Sequence, residues 1–148
     1  MQLTKLIKIE DSTPIVISTG ITVKAGFPSP ALDYHEERID LNKELIPNPL
    51  ATFITQCDND SMINAFIPPK AKLLVDKTLM PKNGDIVVAI VNGDFTLKFL
   101  KKNPVKGWLV PANKKYQEME ITPEMNVEIW GVVTFIITDT KDIRRCMH

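Results

Sequence analysis

The sequence predicts a mainly β protein with an extended N-terminal arm and one short helix. Three observations carry that prediction. Six runs rich in β-branched and aromatic residues lie beyond Pro49, an Asn92-Gly93 pair joins two of them, and upstream a period-two pattern ends in a proline cluster. From Ile15 to Ala25 the odd positions read Ile, Ile, Thr, Ile, Val and Ala, which is the alternation of an extended chain. Gly26-Phe27-Pro28-Ser29-Pro30 then punctuates it, since each proline fixes its own φ and pushes the residue before it away from helix. The helix follows: Asp40 is a good N-cap, Leu41 and Leu45 share one face, and Pro47 and Pro49 stop it. The strand runs are Ala51 to Cys57, Lys72 to Asp76, Asp85 to Val91, Asp94 to Lys101, Trp108 to Val110, and Val127 to Thr138. Asn92-Gly93 signals a type I′ hairpin, because both residues tolerate positive φ. The composition shift near Gly26 divides a removable arm, residues 1–25, from a compact β domain, residues 26–148.

Composition removes several functions. The 148 residues are the size of one domain, and 18 basic against 18 acidic residues leave no excess charge to draw in nucleic acid, so direct sequence-specific DNA binding is not expected. The longest apolar run, Ile86 to Val91, is far short of a membrane span, and no secretory leader is legible, so a cytoplasmic protein without membrane contact is expected. Cys57 and Cys146 make neither a disulfide framework nor a zinc motif; Cys57 reads as a packed strand residue and Cys146 as a tail thiol. The Asp33, His35, Glu36, Glu37 cluster lacks a second ligand set at a recognised spacing. Neither a metal nor another cofactor is expected.

The chemistry-bearing residues are Ser61, Lys98 and the Ala25-Gly26 bond. Ser61 ends a polar turn, Asp58-Asn59-Asp60-Ser61, directly after a strand, where backbone N–H groups can be left pointing at a small concave site. Taken alone, a turn serine serves its own backbone. Lys98 lies on the second strand of the hairpin, where Phe95, Leu97 and Phe99 face one side and Thr96, Lys98 and Leu100 the other. An isolated strand lysine is ordinarily solvated, but Leu100 on its own face points to cover. A lysine acts as a general base only when neutral, and lowering its pKa by about three units from about 10.4 costs roughly 4 kcal/mol, which an apolar pocket supplies. A Ser/His/Asp triad is disfavoured, since His35 sits in an acidic run and His148 at the end of the chain.

Gly26-Phe27-Pro28-Ser29-Pro30-Ala31, Arg38-Ile39-Asp40-Leu41-Asn42, Asp60-Ser61-Met62-Ile63, Leu73-Leu74-Val75-Asp76, Gly84-Asp85-Ile86-Val87 and the Asn92 to Lys98 hairpin resemble, in that order, the LexA/UmuD superfamily of self-cleaving Ser/Lys proteins, and within it the UmuD type. The resemblance spans about Ala25 to Val133. It implies a LexA/signal-peptidase-like β-barrel, a homodimer, and an SOS-response subunit of an error-prone translesion DNA polymerase, with a UmuC-like polymerase as partner. Self-cleavage would be provoked by the RecA filament on single-stranded DNA. By position, Ser61 would be the nucleophile, Lys98 the base, Ala25-Gly26 the bond cut, and the backbone N–H groups of Ser61 and Asp60 the oxyanion donors.

Two positions depart from the family pattern. Asn59 stands where the family has Gly, and Asn is the non-glycine residue that best tolerates left-handed backbone. Ala71-Lys72, preceded by Pro68-Pro69, replaces a Gly-Asp turn, which must therefore be built differently. The alternatives are a non-catalytic interaction subunit of the same fold, a LexA-type repressor lacking its DNA-binding domain, and a type I signal peptidase, which would need a membrane anchor.

Overall fold

The computed structural model describes residues 3–8, 16–19 and 37–144. The strands are β1 Leu3–Lys8, β2 Val16–Thr19, β3 Glu37–Asp40, β4 Thr52–Cys57, β5 Lys72–Asp76, β6 Ile86–Val91, β7 Asp94–Lys102, β8 Gly107–Val110, β9 Met119–Ile121 and β10 Val127–Ile137. Two short helices are α1 Leu41–Leu45 and α2 Thr140–Arg144. They fall into two compact units, one holding β2, β3 and α1, the other β1 together with β4 through α2.

In the smaller unit β2 and β3 pair antiparallel, with Val16 opposite Asp40. Asp40 then turns the chain into α1: its Oδ1 accepts from the Asn42 N–H at 2.9 Å, satisfying one of the donors that a helix start leaves open. This is the cap and the helix expected from the sequence.

The larger unit is one eight-stranded antiparallel sheet in the order β1-β4-β5-β10-β6-β7-β8-β9. All six predicted strand runs are strands, within two residues at their ends. The sheet also curls, because β1 at one edge comes against β7, although four strands lie between them in hydrogen-bonding order. This mainly β architecture agrees with the LexA/signal-peptidase-like class. Three further strands are short or outside the obvious runs. β1 comes from within the residues read as the arm, β3 is a four-residue partner of β2, and β9 has three residues paired only to β8. A second helix, α2, follows Asp139, whose Oδ1 accepts from the Lys141 N–H at 2.8 Å; one short helix was expected, and this aspartate cap is the signal it carried.

The hairpin between β6 and β7 turns at Asn92 and Gly93, with φ of 50° and 89°, as a type I′ turn requires. Long β10 runs between β5 and β6. At Gly131 a Cβ would lie 2.6 Å from Val75 Cγ1 and 3.3 Å from the Asp76 carbonyl oxygen, so only glycine lets the strands approach this closely. Two apolar clusters result. Cys57, Met62, Leu73, Val75, Val88 and Leu97 form one, and Val87, Ala89, Leu100, Leu109 and Val132 the other. The alternation along β6 and β7 places successive residues in opposite clusters, so the middle of β7 is covered on both faces.

Candidate active site

Lys98 is held by the sheet ladder. It stands opposite Val87 on β6, with Thr96 opposite Ala89 one step along, so its strand face is apolar apart from Thr96. Only 7% of the residue is exposed, which settles the choice between a solvated and a covered lysine. Burial pushes its pKa down from the ordinary 10.5, because the desolvated site disfavours the ammonium. The amine donates to Thr96 Oγ1 at 3.0 Å and to the Leu97 carbonyl at 3.2 Å. A neutral amine has two N–H donors and one lone pair. These two acceptors match the two donors, and a lysine base takes its proton on the lone pair.

Ser61 is held by a loop. β4 ends at Cys57 and the chain turns through residues 58–62 into a single 3-10 turn, Ile63–Ala65. Side chains and backbone from the β8–β9 connection pin that loop. Asn113 Nδ2 donates to the Asp60 carbonyl at 2.8 Å, the Tyr116 hydroxyl donates to Asp60 Oδ1 at 2.8 Å, and the Ala112 N–H donates to the Ser61 carbonyl at 2.9 Å. The acceptor Asp60 raises the Tyr116 pKa, since the hydrogen bond favours the protonated phenol. Ser61 is fully buried, yet its Oγ has no hydrogen-bond partner among the described residues. Leaving a buried hydroxyl unpaired costs about 1–3 kcal/mol, and native proteins keep such groups rarely, mostly for a reason.

Cys57 links the two. Its thiol, buried as expected, lies within electrostatic reach of Lys98 and donates to the Asn59 carbonyl at 3.1 Å. Burial raises its pKa, so it stays a neutral thiol beside the amine. Asn59 in turn accepts the Ser61 N–H on its side-chain oxygen at 3.0 Å. Through Cys57 the lysine is coupled electrostatically to the end of β4, from which the serine loop leaves; among the described residues Lys98 and Ser61 share no direct hydrogen bond.

Other expected residues fare differently. Ala25, Gly26, His35, Cys146 and His148 lie outside the described residues. Asn59 does not use the left-handed backbone that asparagine tolerates: among the described residues only Phe66, Lys70 and Asn92 do so besides two glycines, and Asn59 works through its carboxamide instead. The substituted turn is a type II turn. Pro69 occupies its second position, Lys70 its third with φ of 75°, and the Ala71 N–H donates to the Pro68 carbonyl at 3.1 Å. Three contributors were given no role in the sequence reading. Thr96 was findable, because residues two apart on a strand share a face; Asn113 and Tyr116 were not, since more than fifty residues separate them from Asp60.

A buried amine whose pKa is pushed down by desolvation and a buried hydroxyl without a partner among the described residues are the parts of a serine acyl-transfer centre without histidine. Comparison with known proteins agrees. Residues 14–134 match the family model described as Peptidase S24-like. The chain is 40% identical over 121 residues to Protein ImpA of Salmonella typhimurium, covering 82% of each, and 38% identical over 113 residues to Protein MucA of Escherichia coli, covering 76% of this chain and 77% of the relative. It is 37% identical over 107 residues to the LexA repressor of Carboxydothermus hydrogenoformans, covering 71% of this chain and 52% of that protein. The chain therefore belongs to the Peptidase S24-like family, as a UmuD-like, SOS-related serine peptidase that cleaves itself.

Proposed function

We propose that Ser61 and Lys98 are the catalytic pair, that the bond they cut is Ala25-Gly26, and that the shortened chain then serves as a subunit of an error-prone translesion polymerase. The observation that carries this reading is the orphaned Ser61 Oγ together with the buried, proton-poor amine of Lys98. Ser61 Oγ attacks the Ala25 carbonyl carbon and its proton passes to the Lys98 amine. The carbonyl oxygen takes the negative charge against backbone N–H groups, those of Ser61 and Asp60. The C–N bond breaks as Lys98 returns the proton to the Gly26 nitrogen. Water then cleaves the ester with Lys98 again accepting a proton, so serine and lysine end as they began.

A substrate on the same chain has a high effective concentration, so slow resting cleavage requires the arm to spend most of its time away from Ser61. A RecA filament on single-stranded DNA would accelerate the reaction only by binding the docked form better, without supplying a catalytic group. Homodimerisation, a UmuC-like polymerase partner and a cytoplasmic location complete the reading. It is supported by the extensive coverage of the ImpA and MucA relatives. The chain spans about half of the LexA relative's length.

The experiment is intact-mass measurement and N-terminal sequencing after incubation at alkaline pH. A new terminus beginning Gly26-Phe27-Pro28, absent in Ser61→Ala, is expected. Any other start removes Ala25-Gly26 from the mechanism, and an unchanged mass with RecA, ATP and single-stranded DNA present would favour a non-catalytic interaction subunit.

A further inference from the structure

When a serine attacks through Oγ, the carbonyl oxygen of its target comes close to the serine's own backbone N–H, which makes that donor the natural first contact of the oxyanion. In this protein that donor is already engaged, by Asn59 Oδ1 at 3.0 Å. The engagement is not needed to shape the loop. Asn113 and Tyr116 hold Asp60, Ala112 holds the Ser61 carbonyl, and the Cys57 thiol holds the Asn59 carbonyl, so the backbone on both sides is fixed by other partners. Nor does asparagine stand here to relieve backbone strain, since its φ is not positive. What it supplies is an acceptor on one of the two N–H groups assigned to the oxyanion.

We propose that Asn59 is a positioning residue that sets the resting rate of self-cleavage, its carboxamide oxygen competing with the scissile carbonyl for the Ser61 N–H. This rests on Ser61 being the nucleophile. In the productive step Asn59 Oδ1 leaves the donor and the Ala25 carbonyl oxygen takes its place. The Ser61 Oγ to carbon bond forms, the carbonyl π pair moves onto that oxygen, and the hydroxyl proton goes to Lys98. An ordinary hydrogen bond that must be given up slows the step about two- to tenfold. A glycine at this position would impose no such toll.

The test uses the full chain at alkaline pH without activator, following intact mass over time for Asn59→Ala, Asn59→Gly and Asn59→Asp. The alanine and glycine variants are expected to cleave about two- to tenfold faster than the wild type. Asn59→Asp is expected to cleave more slowly, because a carboxylate holds the N–H more tightly and repels the developing oxyanion. The pH midpoint of Asn59→Ala should match the wild type, since Lys98 is untouched. In a Lys98→Ala background, where cleavage is slowed by orders of magnitude, Asn59→Ala should speed hydrogen exchange at the Ser61 amide. Folded Asn59→Ala that cleaves at the wild-type rate or slower, or Asn59→Asp that cleaves as fast, overturns the proposal. Ser61→Ala separates the two claims: if it still cleaves, the nucleophile assignment falls, and if it is inactive while Asn59→Ala is no faster, only the role of Asn59 falls.

Discussion

The strand that carries Lys98 and the loop that carries Ser61 are built on opposite principles. Lys98 sits mid-strand between two hydrogen-bonded neighbours, β6 and β8, and its buried amine has two protein acceptors. Ser61 sits in no regular element, its loop is tied down by side chains from a distant connection, and its buried hydroxyl has no acceptor or donor among the described residues. The costly group on the strand is thus compensated in place, whereas the one on the loop is left for a substrate. A base must keep its pKa shift at all times, which a sheet ladder guarantees. A nucleophile must exchange partners during the reaction, which a loop allows.

The largest test of this division removes each group. Ser61→Ala is expected to abolish self-cleavage, and Lys98→Ala to slow it by about 10²–10⁴-fold, the usual contribution of a positioned general base. His35→Ala should stay within a few-fold. Intact-mass time courses with RecA, ATP and single-stranded DNA read all three; undiminished cleavage by Lys98→Ala would make the strand's lysine incidental.

Much of the strand side was legible in the sequence, because alternation and turn chemistry are local. Asn92-Gly93 announced the hairpin, and the hairpin fixed which residues share a face with Lys98. Leu100 on that face hinted at cover, and the structure buries both residues. The loop side was legible only as a turn. Its anchoring comes from Asn113 and Tyr116, which reach Asp60 across a sequence gap that no local pattern spans. Asn59 was visible as a departure from the family, but whether it bent the backbone or bonded the serine depended on one side-chain contact. β1 and β9 were missed for a different reason: one lies in a stretch read as the arm, and the other has three residues, too few for a period to register.

A second test separates scaffold from site. Gly131→Ala forces a methyl group against Val75 and the Asp76 carbonyl, and should destabilise the fold by about 1–3 kcal/mol in urea unfolding. Where the variant is still folded, cleavage should persist, because the sheet keeps Lys98 in register. A stability equal to wild type would show that β5 and β10 do not meet this tightly.

Smaller still is the expected effect of loosening the loop. Asn113→Ala removes the bond to the Asp60 carbonyl and should cost about 1 kcal/mol or less in stability, while slowing cleavage several-fold as Ser61 loses its register. A large stability loss with unchanged cleavage would reverse the roles assigned to the two regions.

The central claim is that a buried lysine, neutral because it is desolvated, is the base. The most direct measurement is the rate of activator-free self-cleavage against pH, with folding followed by circular dichroism at each point. Burial lowers the Lys98 pKa below the ordinary 10.5, so the fraction of competent base grows as pH rises from neutral and saturates below the free-lysine value. The sign for stability is the same: the unfolded chain binds the lysine proton more readily than the native one, so this group's penalty on folding shrinks as pH rises toward 10.5. The account predicts a rising curve whose midpoint lies below 10.5. A flat profile across that range in folded protein, or a midpoint at or above the ordinary lysine value, would contradict it.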